Sequence, residues 1–492
     1  MYTDESIFAL LAVPAVGGLL CLLLCLPLHV LTAVIGVSLA EMLLAGNLWW
    51  AVAGDKTFVS AADQWLYVDA FSAFHIFVLV LVFVLSSVFA GIYFGHEAAD
   101  VFTPAVARRF GALWLGAQTA MLLVLVSNNL GIMWVGMEAT TLLTAFLISL
   151  HPSRLSLEAM WKYLIICSIG IAFAFMGTLL AAASIQSAGG ATGDALFWTR
   201  LASDEAHLDP TLMKFAFIFI LVGYGTKAGL APIHSWLPDA HSQAPAPVSA
   251  MFSGFLLNTA LYCIMRFVPP VQHALGQQFA SELLIAFGTI SIIVAAGFIV
   301  FQKDAKRLLA YHSVEHMGII TLGYALGPIG TFAALFHTLN HSICKSLAFF
   351  AVGRLGQRFG SHDMHRIAGA LRADRLWGAA LVISVLALIG VAPFSIFMSE
   401  YQLLRAAVRT GAWLTLVLFL ASSGVVFVSA LRHLIDMAFG AAGEHDGGAP
   451  DGTLSVLMVA VAAGLLLVLG VWMPLPLSDA IASAASVLGT RP

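Results

Sequence analysis

The sequence predicts an all-α polytopic membrane protein with about 14 transmembrane helices, and three observations lead to that class. Of the 492 residues, 60% are hydrophobic and only 10% are charged, whereas soluble proteins carry about 25% charged residues. A helix needs about 20 consecutive apolar residues to cross a bilayer, and runs of that length recur along the whole chain. The net charge of −4 comes without a basic run or basic face, so nothing indicates a nucleic-acid partner.

Helices are predicted over the apolar runs, and short polar stretches separate them. A break is predicted at Ser-Asn-Asn (127–129), and alternation in 54–70 predicts a small hairpin outside the membrane. The acidic N-terminus lacks the basic region of a signal peptide, so the first run is expected to remain as a span. The fourteen runs fall at 7–26, 29–52, 71–94, 112–129, 131–150, 163–186, 213–235, 247–268, 281–301, 308–327, 329–353, 378–403, 412–438 and 454–474.

This order predicts four parts. Residues 1–111 are expected to hold helices 1–3 and the hairpin. Residues 112–268 and 281–438 are expected to form two inverted repeats of five helices each, namely helices 4–8 and 9–13. Residues 439–492 are expected to form an exposed loop and helix 14.

The distribution of basic residues predicts the orientation, because lysine and arginine accumulate in cytoplasmic loops. With Lys227 and Lys345 set aside as intramembrane, the loops after odd-numbered runs hold thirteen basic residues. The loops after even-numbered runs and the C-terminus hold seven. We therefore expect a multi-pass protein of a bacterial-type cytoplasmic membrane, with both termini on the outer, periplasmic side.

Ionisable side chains inside apolar runs are costly and mark function. Run five contains Glu138, run seven contains Lys227, and run twelve contains Glu400. Run eleven carries three such residues at i, i+4 and i+8, which places them along one helical face: His337, His341 and Lys345. Further candidates lie in or beside the runs: His234, Asp239, His241, Asn258, His312, Glu315 and His316.

These residues allow three interpretations. A lone buried glutamate or lysine can be half of a structural ion pair, and the pairs His312/His316 and His337/His341 have the spacing of metal ligands. Metal sites also need a converging third ligand and supporting hydrogen bonds, so no metal is predicted. We favour a row of proton-exchanging groups at the membrane midplane. Burial brings the pKa values of lysine and glutamate closer to neutral pH, and histidine already titrates there.

The five cysteines lie in apolar segments and are interpreted as packing residues, so no cofactor is expected in this chain: Cys21, Cys25, Cys167, Cys263 and Cys344.

Two prolines predict breaks in spanning helices. Pro232 follows Lys227 by five residues, and Pro393 precedes Glu400 by seven. A break frees backbone carbonyl and amide groups, which is tolerated only where they line protein or water. Paired broken helices in two halves are typical of inverted repeats with an ion site at the midplane. A hydrated break would also let a buried lysine load and release its proton.

Several motifs carry a family resemblance. The stretch KAGLAPIHSWLPDAHSQAPAPVSA (227–250) resembles the signature of the antiporter-like membrane subunits of respiratory complex I, Mrp antiporters and membrane-bound [NiFe] hydrogenases. WVGMEA (134–139), the H-x3-H-x3-K pattern (337–345) and the proline–glutamate pair of run twelve extend it over roughly residues 70–440. EATTLLTAFL (138–147), WKYLIICSIGIA (161–172) and SGFLLNTALYCIMRF (253–267) look most like component F of hydrogenase-4-type complexes.

The resemblance implies proton translocation coupled to a redox reaction in other subunits, so that [NiFe], iron–sulfur or flavin centres belong to a peripheral arm. Within it, Glu138 matches the carboxylate that pairs with the lysine of span seven, Lys227, and Glu400 matches the group near the far exit. One departure concerns span eight, where family members often carry a lysine or histidine. Ser253 and Asn258 stand at the matching positions, so either they hold a water bridge or the proton path is interrupted.

The resemblance leaves other functions open. The chain could be a subunit of complex I, or of an Mrp-type Na⁺/H⁺ antiporter that works without an electron donor. It could also be a membrane anchor or proton channel for a peripheral carbon-uptake partner. In each case the expected partners are lipid, other membrane subunits, and protons or Na⁺.

Overall fold

The fold is that of a helical membrane protein, as predicted. A computed structural model describes residues 3–53, 58–187, 195–203, 207–441 and 451–489. Ten helices among these residues are long and apolar enough to cross a membrane. Lys56, Arg491 and most of the loop 439–452 lie outside the described residues.

Each of the fourteen apolar runs overlaps a helix, and runs seven and twelve also contain the two breaks. In the first half of the chain the helices are α1 (Thr3–Cys21), α2 (Pro27–Ala53), α3 (Ala70–Gly95), α4 (Pro104–Val126), α5 (Leu130–Ile148), α6 (Arg154–Ser187), α7 (Trp198–Leu201), α8 (Pro210–Ala228), α9 (Trp236–Gln243), α10 (Ala246–Met251) and α11 (Leu257–Leu275). A π-helical segment, Phe252–Leu256, joins α10 to α11.

The second half contains nine helices among the described residues. They are α12 (Gln277–Ile299), α13 (Ala305–Ala325), α14 (Gly327–Phe359), α15 (Ala370–Ala373), α16 (Arg375–Leu388), α17 (Ser395–Thr410), α18 (Trp413–Phe439), α19 (Thr453–Val471) and α20 (Leu475–Val487). α20 was not predicted from the sequence.

Two local predictions are confirmed. The break at 127–129 separates α4 from α5, and Asn129 caps α5 because its side-chain oxygen accepts hydrogen bonds from the backbone amides of Gly131 and Ile132. Strands β1 (Phe58–Ala61) and β2 (Leu66–Asp69) pair antiparallel and form the hairpin.

Glycines allow two helix pairs to approach closely. A Cβ on Gly177 of α6 would lie 2.8 Å from the Ala216 carbonyl of α8. A Cβ on Gly288 of α12 would lie 2.8 Å from the Gly318 carbonyl of α13. Small residues favour such contact between membrane helices, so the helices that carry Lys227 and the run-ten histidines are each held tightly by a neighbour.

A buried ion pair fixes α11 to the start of α3. Arg266 Nη1 lies 2.6 Å from Asp69 Oδ2, and each side chain is 4% exposed. Arg266 also donates to the hydroxyls of Ser72 and Tyr262 and lies 4.4 Å from the centre of the Trp198 ring. Arg266 is one of the seven basic residues counted with the loops after even-numbered runs, and that placement is wrong because hydrophobicity alone does not reveal that a distant aspartate neutralises it.

Removing one partner of this pair should destabilise the protein. Asp69→Asn leaves the Arg266 charge buried without a counter-ion, which costs about 3–5 kcal/mol of unfolding free energy. Thermal unfolding of the detergent-solubilised complex measures the loss, and exposed Asp63→Asn serves as the control. Equal melting of Asp69→Asn and the unchanged protein would show that the pair does not contribute to stability.

Candidate functional site

The first helix break lies beside Lys227, as predicted. α8 ends at Ala228 and α9 begins at Trp236, with Pro232 between them. The groups freed by the break find partners: the Trp236 indole donates to the Thr226 carbonyl at 2.8 Å. The break is therefore a stable, hydrogen-bonded structure within the helical bundle.

Lys227 is fully buried in the last turn of α8. Its Nζ donates to Thr141 Oγ1 at 2.9 Å and to the Tyr163 hydroxyl. The ammonium also lies 4.6 Å from the centre of the Tyr163 ring. The Tyr163 hydroxyl bonds in turn to Thr144 Oγ1 at 2.6 Å. Tyr163 was not predicted as a site residue, because an aromatic residue in an apolar run gives no sign of a polar role.

Glu138 does not contact Lys227 directly. Its Oε1 accepts a hydrogen bond from Ser168 at 2.8 Å, and its Oε2 is buried with no hydrogen-bond partner in the described structure. No ion pair within 4 Å joins these two described residues, so the expected direct pair is absent from this arrangement. Thr141, which binds Lys227, lies three residues after Glu138 and hence on the same side of α5.

Hydroxyl groups connect span eight to the second half of the chain. Ser253 lies in the π-helical segment, and its Oγ is 2.8 Å from Ser313 Oγ of α13. Ser313 donates to the Leu309 carbonyl at 3.2 Å, and Lys345 Nζ donates to the same carbonyl. π-Helical turns are frequent at functional sites. The span-eight position that lacks a titratable residue is therefore linked to Lys345 by hydrogen bonds.

His241 lies beside the same segment. Its ring is 6.1 Å from the Phe252 ring and stacks on Phe349 at 5.1 Å. Lys345 Nζ lies 5.6 Å from the centre of that Phe349 ring. Both ring nitrogens of His241 are buried and have no hydrogen-bond partner among the residues described. A titratable group thus stands between the first half and Lys345.

Asn258 forms one hydrogen bond in this region. Its Nδ2 donates to the Gly254 carbonyl at 3.2 Å, and Ser342 Oγ donates to that carbonyl at 2.6 Å. The Asn258 side-chain oxygen is buried with no partner in the described part of the chain. It is therefore an acceptor that a water molecule could use.

The histidine face of α14 is buried and connects to α13 and α17. His316 Nδ1 lies 2.8 Å from His337 Nε2, and His337 Nδ1 lies 2.9 Å from Ser399 Oγ. The His341 ring is 5.2 Å from the His316 ring, and no described group bonds to either His341 nitrogen. Two hydrogen bonds therefore join three helices in series.

Three residues of run ten lie close enough together to resemble the ligands of a metal site. His312 Nδ1 lies 3.0 Å from Glu315 Oε2, and one ligand atom from each of His312, Glu315 and His316 lies within 4.8 Å of the others. No metal site was predicted here because a third ligand close to the two histidines was not expected. Glu315 supplies such a ligand. The direct His312–Glu315 hydrogen bond pairs two of these groups without an ion, but His312 Nε2 and His316 Nε2 are buried with no partner among the described residues.

Glu400 lies at the second helix break. α16 ends at Leu388 and α17 begins at Ser395, with Pro393 between them, as predicted. Gly390, within the break, has φ +70°, and a Cβ there would collide with the Glu400 carboxylate. Glu400 is the residue after Ser399, the hydrogen-bond partner of His337, on α17.

Two candidates lie away from this series. Asp239 forms ion pairs with Lys162 at 3.1 Å and Arg307 at 2.5 Å in a partly exposed position. His234 is buried beside the stacked rings of Phe298 and Tyr311 and meets both edge-on. Neither is bonded to the intramembrane lysines.

Two of the thirteen basic residues counted with the loops after odd-numbered runs are buried in helices. Lys306 donates to the carbonyls of Ser242 and Ala244 at the end of α9. Arg354 lies 3.6 Å from Asp451. Without these two residues, the loops after odd-numbered runs still hold more basic residues than the loops after even-numbered runs.

Comparison with known proteins agrees with this architecture. Residues 127–426 match the transmembrane family of NADH:quinone oxidoreductase and Mrp antiporter subunits. The chain belongs to this family of antiporter-like membrane subunits. The match spans the region from α5 to α18 that contains both helix breaks.

Individual relatives show which members of this family the chain resembles. A hydrogenase-4 component F homolog of Methylacidiphilum infernorum is 40% identical over 339 residues, which are 68% of this chain and 71% of that protein. An NADH-quinone oxidoreductase subunit N of Desulforudis audaxviator is 30% identical over 417 residues, or 80% and 76% of the two chains. A chain of an archaeal membrane-bound sulfane sulfur reductase has a TM-score of 0.87 at 25% identity, covering 98% and 97% of the chains.

Proposed function

We propose that this chain is the proton-translocating membrane subunit of a complex I-related redox complex of the hydrogenase-4 type. The likeness to a component F homolog supports the type. The observation that carries the proton function is the row of buried polar and titratable side chains that runs from Lys227 through Lys345 to Ser399, the residue before Glu400.

The series has three stages. Lys227 is bonded to Tyr163, whose ring lies 6.0 Å from Phe252 at the start of the π-helical segment. The Ser253–Ser313 hydrogen bond and His241 then lead to Lys345. We propose that protons pass these groups with the help of water.

The third stage leads to the far exit. From Lys345 the proton passes His341, then the bonded pair His316 and His337, and reaches Glu400 next to Ser399. A buried carboxylate, a buried lysine and several histidines can each exchange a proton when neighbouring groups or water move.

The finer architecture is part of the proposal. Fourteen spans, two inverted repeats, a bacterial-type inner membrane and outward-facing termini agree with the apolar runs, the two breaks and the excess of basic residues on one side. Redox centres would then belong to partner subunits of a peripheral arm.

The assembled complex provides the main test. Mild solubilisation, capture of this chain and identification of its partners should recover nickel–iron and iron–sulfur subunits. Inverted vesicles should then take up protons only when the electron donor is present. Capture of small membrane subunits alone, with Na⁺-dependent proton movement and no donor, would instead establish an antiporter of Mrp type. Zinc bound in stoichiometric amounts would favour a metal role for the run-ten triad.

Span eight gives a sharper prediction. Asn258→Leu removes the free acceptor, and we expect slower proton uptake without loss of assembly, since water loses a site between the halves. Asn258→Lys should be tolerated, because family members often place a basic residue in span eight. Ser253→Ala, which removes the bond to Ser313, should slow uptake as well. Unchanged uptake in both Asn258→Leu and Ser253→Ala would mean that protons do not pass span eight here.

A further inference from the structure

A second buried carboxylate lies outside the series described above. Glu41 of α2 is fully buried, and neither of its carboxylate oxygens has a hydrogen-bond partner among the described residues. Leu43, two residues later, is 77% exposed on the opposite side of the helix. A carboxylate buried in apolar surroundings is strongly disfavoured unless it is neutralised, so Glu41 requires a proton or a cation.

Polar side chains of three helices meet at Ser38, one turn before Glu41. Ser38, one turn earlier in α2, lies with its Oγ 2.9 Å from Ser87 Oγ of α3. The indole nitrogen of Trp114 in α4 donates to the same Ser87 hydroxyl at 3.0 Å. All three residues are buried, so this is a hydroxyl cluster inside the helical bundle.

A second unsatisfied residue stands on α4. Gln118 is fully buried one turn after Trp114, and both of its amide atoms lack partners in the part of the chain described. α2 and α4 are in contact where Gly111 faces Val30. Counted from that contact along two parallel helices, Glu41 lies about 6 Å beyond Gln118. The backward tilt of side chains toward the helix N-terminus shortens that separation for Glu41.

We propose that Glu41 and Gln118, with the hydroxyls of Ser38 and Ser87, form a binding site for one monovalent metal cation, Na⁺ or K⁺. One carboxylate balances one positive charge, which disfavours a divalent ion. Carboxylate, amide and hydroxyl oxygens suit hard cations, and soft metals prefer sulfur and imidazole. A proton alone would leave one carboxylate oxygen and both Gln118 amide atoms unsatisfied, whereas a cation with water uses them.

This site is independent of the proton series, because all of its residues lie on α2–α4. The test uses the complete complex in native membranes and dicyclohexylcarbodiimide, which modifies buried protonated carboxyl groups. Mass spectrometry of the peptide that contains Glu41 measures the labelling. We expect Glu41 to be labelled in choline chloride and protected by NaCl or KCl at equal ionic strength.

A matched pair of variants checks the ligand set. Gln118→Leu should retain labelling but shift protection to at least about fivefold higher salt, since a buried polar ligand is lost. Gln302→Leu, far from the site on the loop before α13, should behave like the unchanged protein. Labelling that NaCl and KCl do not affect would show that the Glu41 carboxyl group binds protons only. Absence of labelling would show that the reagent cannot reach Glu41 and that its role is structural. Either result overturns the cation site.

Discussion

Lys345→Met should reduce proton translocation by the complete complex about tenfold or more, since proton transfer by a positioned group contributes about 10²–10⁴-fold. Lys345 is the point where the second and third stages of the series meet. It shares the Leu309 carbonyl with Ser313, which is bonded to span eight, and it lies one turn from His341 on α14. Methionine has a similar volume but carries no exchangeable proton, so the fold should persist.

Two further variants make this prediction specific. Lys345→Arg keeps the positive charge but cannot release a proton, because the guanidinium stays protonated in proteins. We therefore expect a similar loss of proton translocation. Lys214→Met changes an exposed lysine of α8 and should pump normally. The measurement is donor-driven proton uptake into inverted vesicles, with electron transfer followed in the same sample. Normal pumping by Lys345→Arg would show that Lys345 supplies charge only and does not exchange its proton.

The helices and their breaks could be predicted from the sequence, because both depend on local features. A run of 20 apolar residues has few folded alternatives in a bilayer. Pro232 and Pro393 interrupt their helices wherever the rest of the chain lies. Spacing along one helix is also a local feature, so the sequence places His337, His341 and Lys345 on one face of α14.

Contacts between distant parts of the chain could not be predicted. Arg266 and Asp69 are 197 residues apart, and each alone looks like a loop residue. Tyr163 and Ser313 contribute hydroxyls to the series, but serine and tyrosine in apolar runs usually pack or bond to their own helix. The π-helical segment likewise follows from packing, since FSGFL carries no local sign of it.

The separation of Glu138 from Lys227 in this arrangement could not be predicted from the sequence, for a physical reason. Spacing and resemblance indicate that the two residues face each other, but they do not determine which hydrogen bonds are made. Here Thr141 and Tyr163 satisfy the lysine, and Ser168 satisfies one carboxylate oxygen. Neutral partners thus hold both groups apart.

This separation leads to a coupled prediction for Glu138→Gln and Lys227→Ala. We propose that Glu138 approaches Lys227 in a second arrangement, where the opposite charge holds the proton on the lysine, and that the separated arrangement seen here favours its release. Glu138→Gln keeps the bond to Ser168 but removes the charge, so Lys227 should not reload. Each single variant should therefore lose most proton uptake in the vesicle assay with the donor reaction running.

The double variant decides whether the two residues work as one unit. Residues that act through a single interaction show strongly non-additive effects, whereas independent sites add. Glu138→Gln with Lys227→Ala should therefore pump barely less than either single variant. Thr141→Val removes one hydroxyl that holds Lys227 in the separated arrangement and leaves both charges in place, so its defect should be milder than either. If Glu138→Gln pumps normally, or if the two losses add, Glu138 is a structural neighbour of Ser168 and Lys227 loads its proton from water alone.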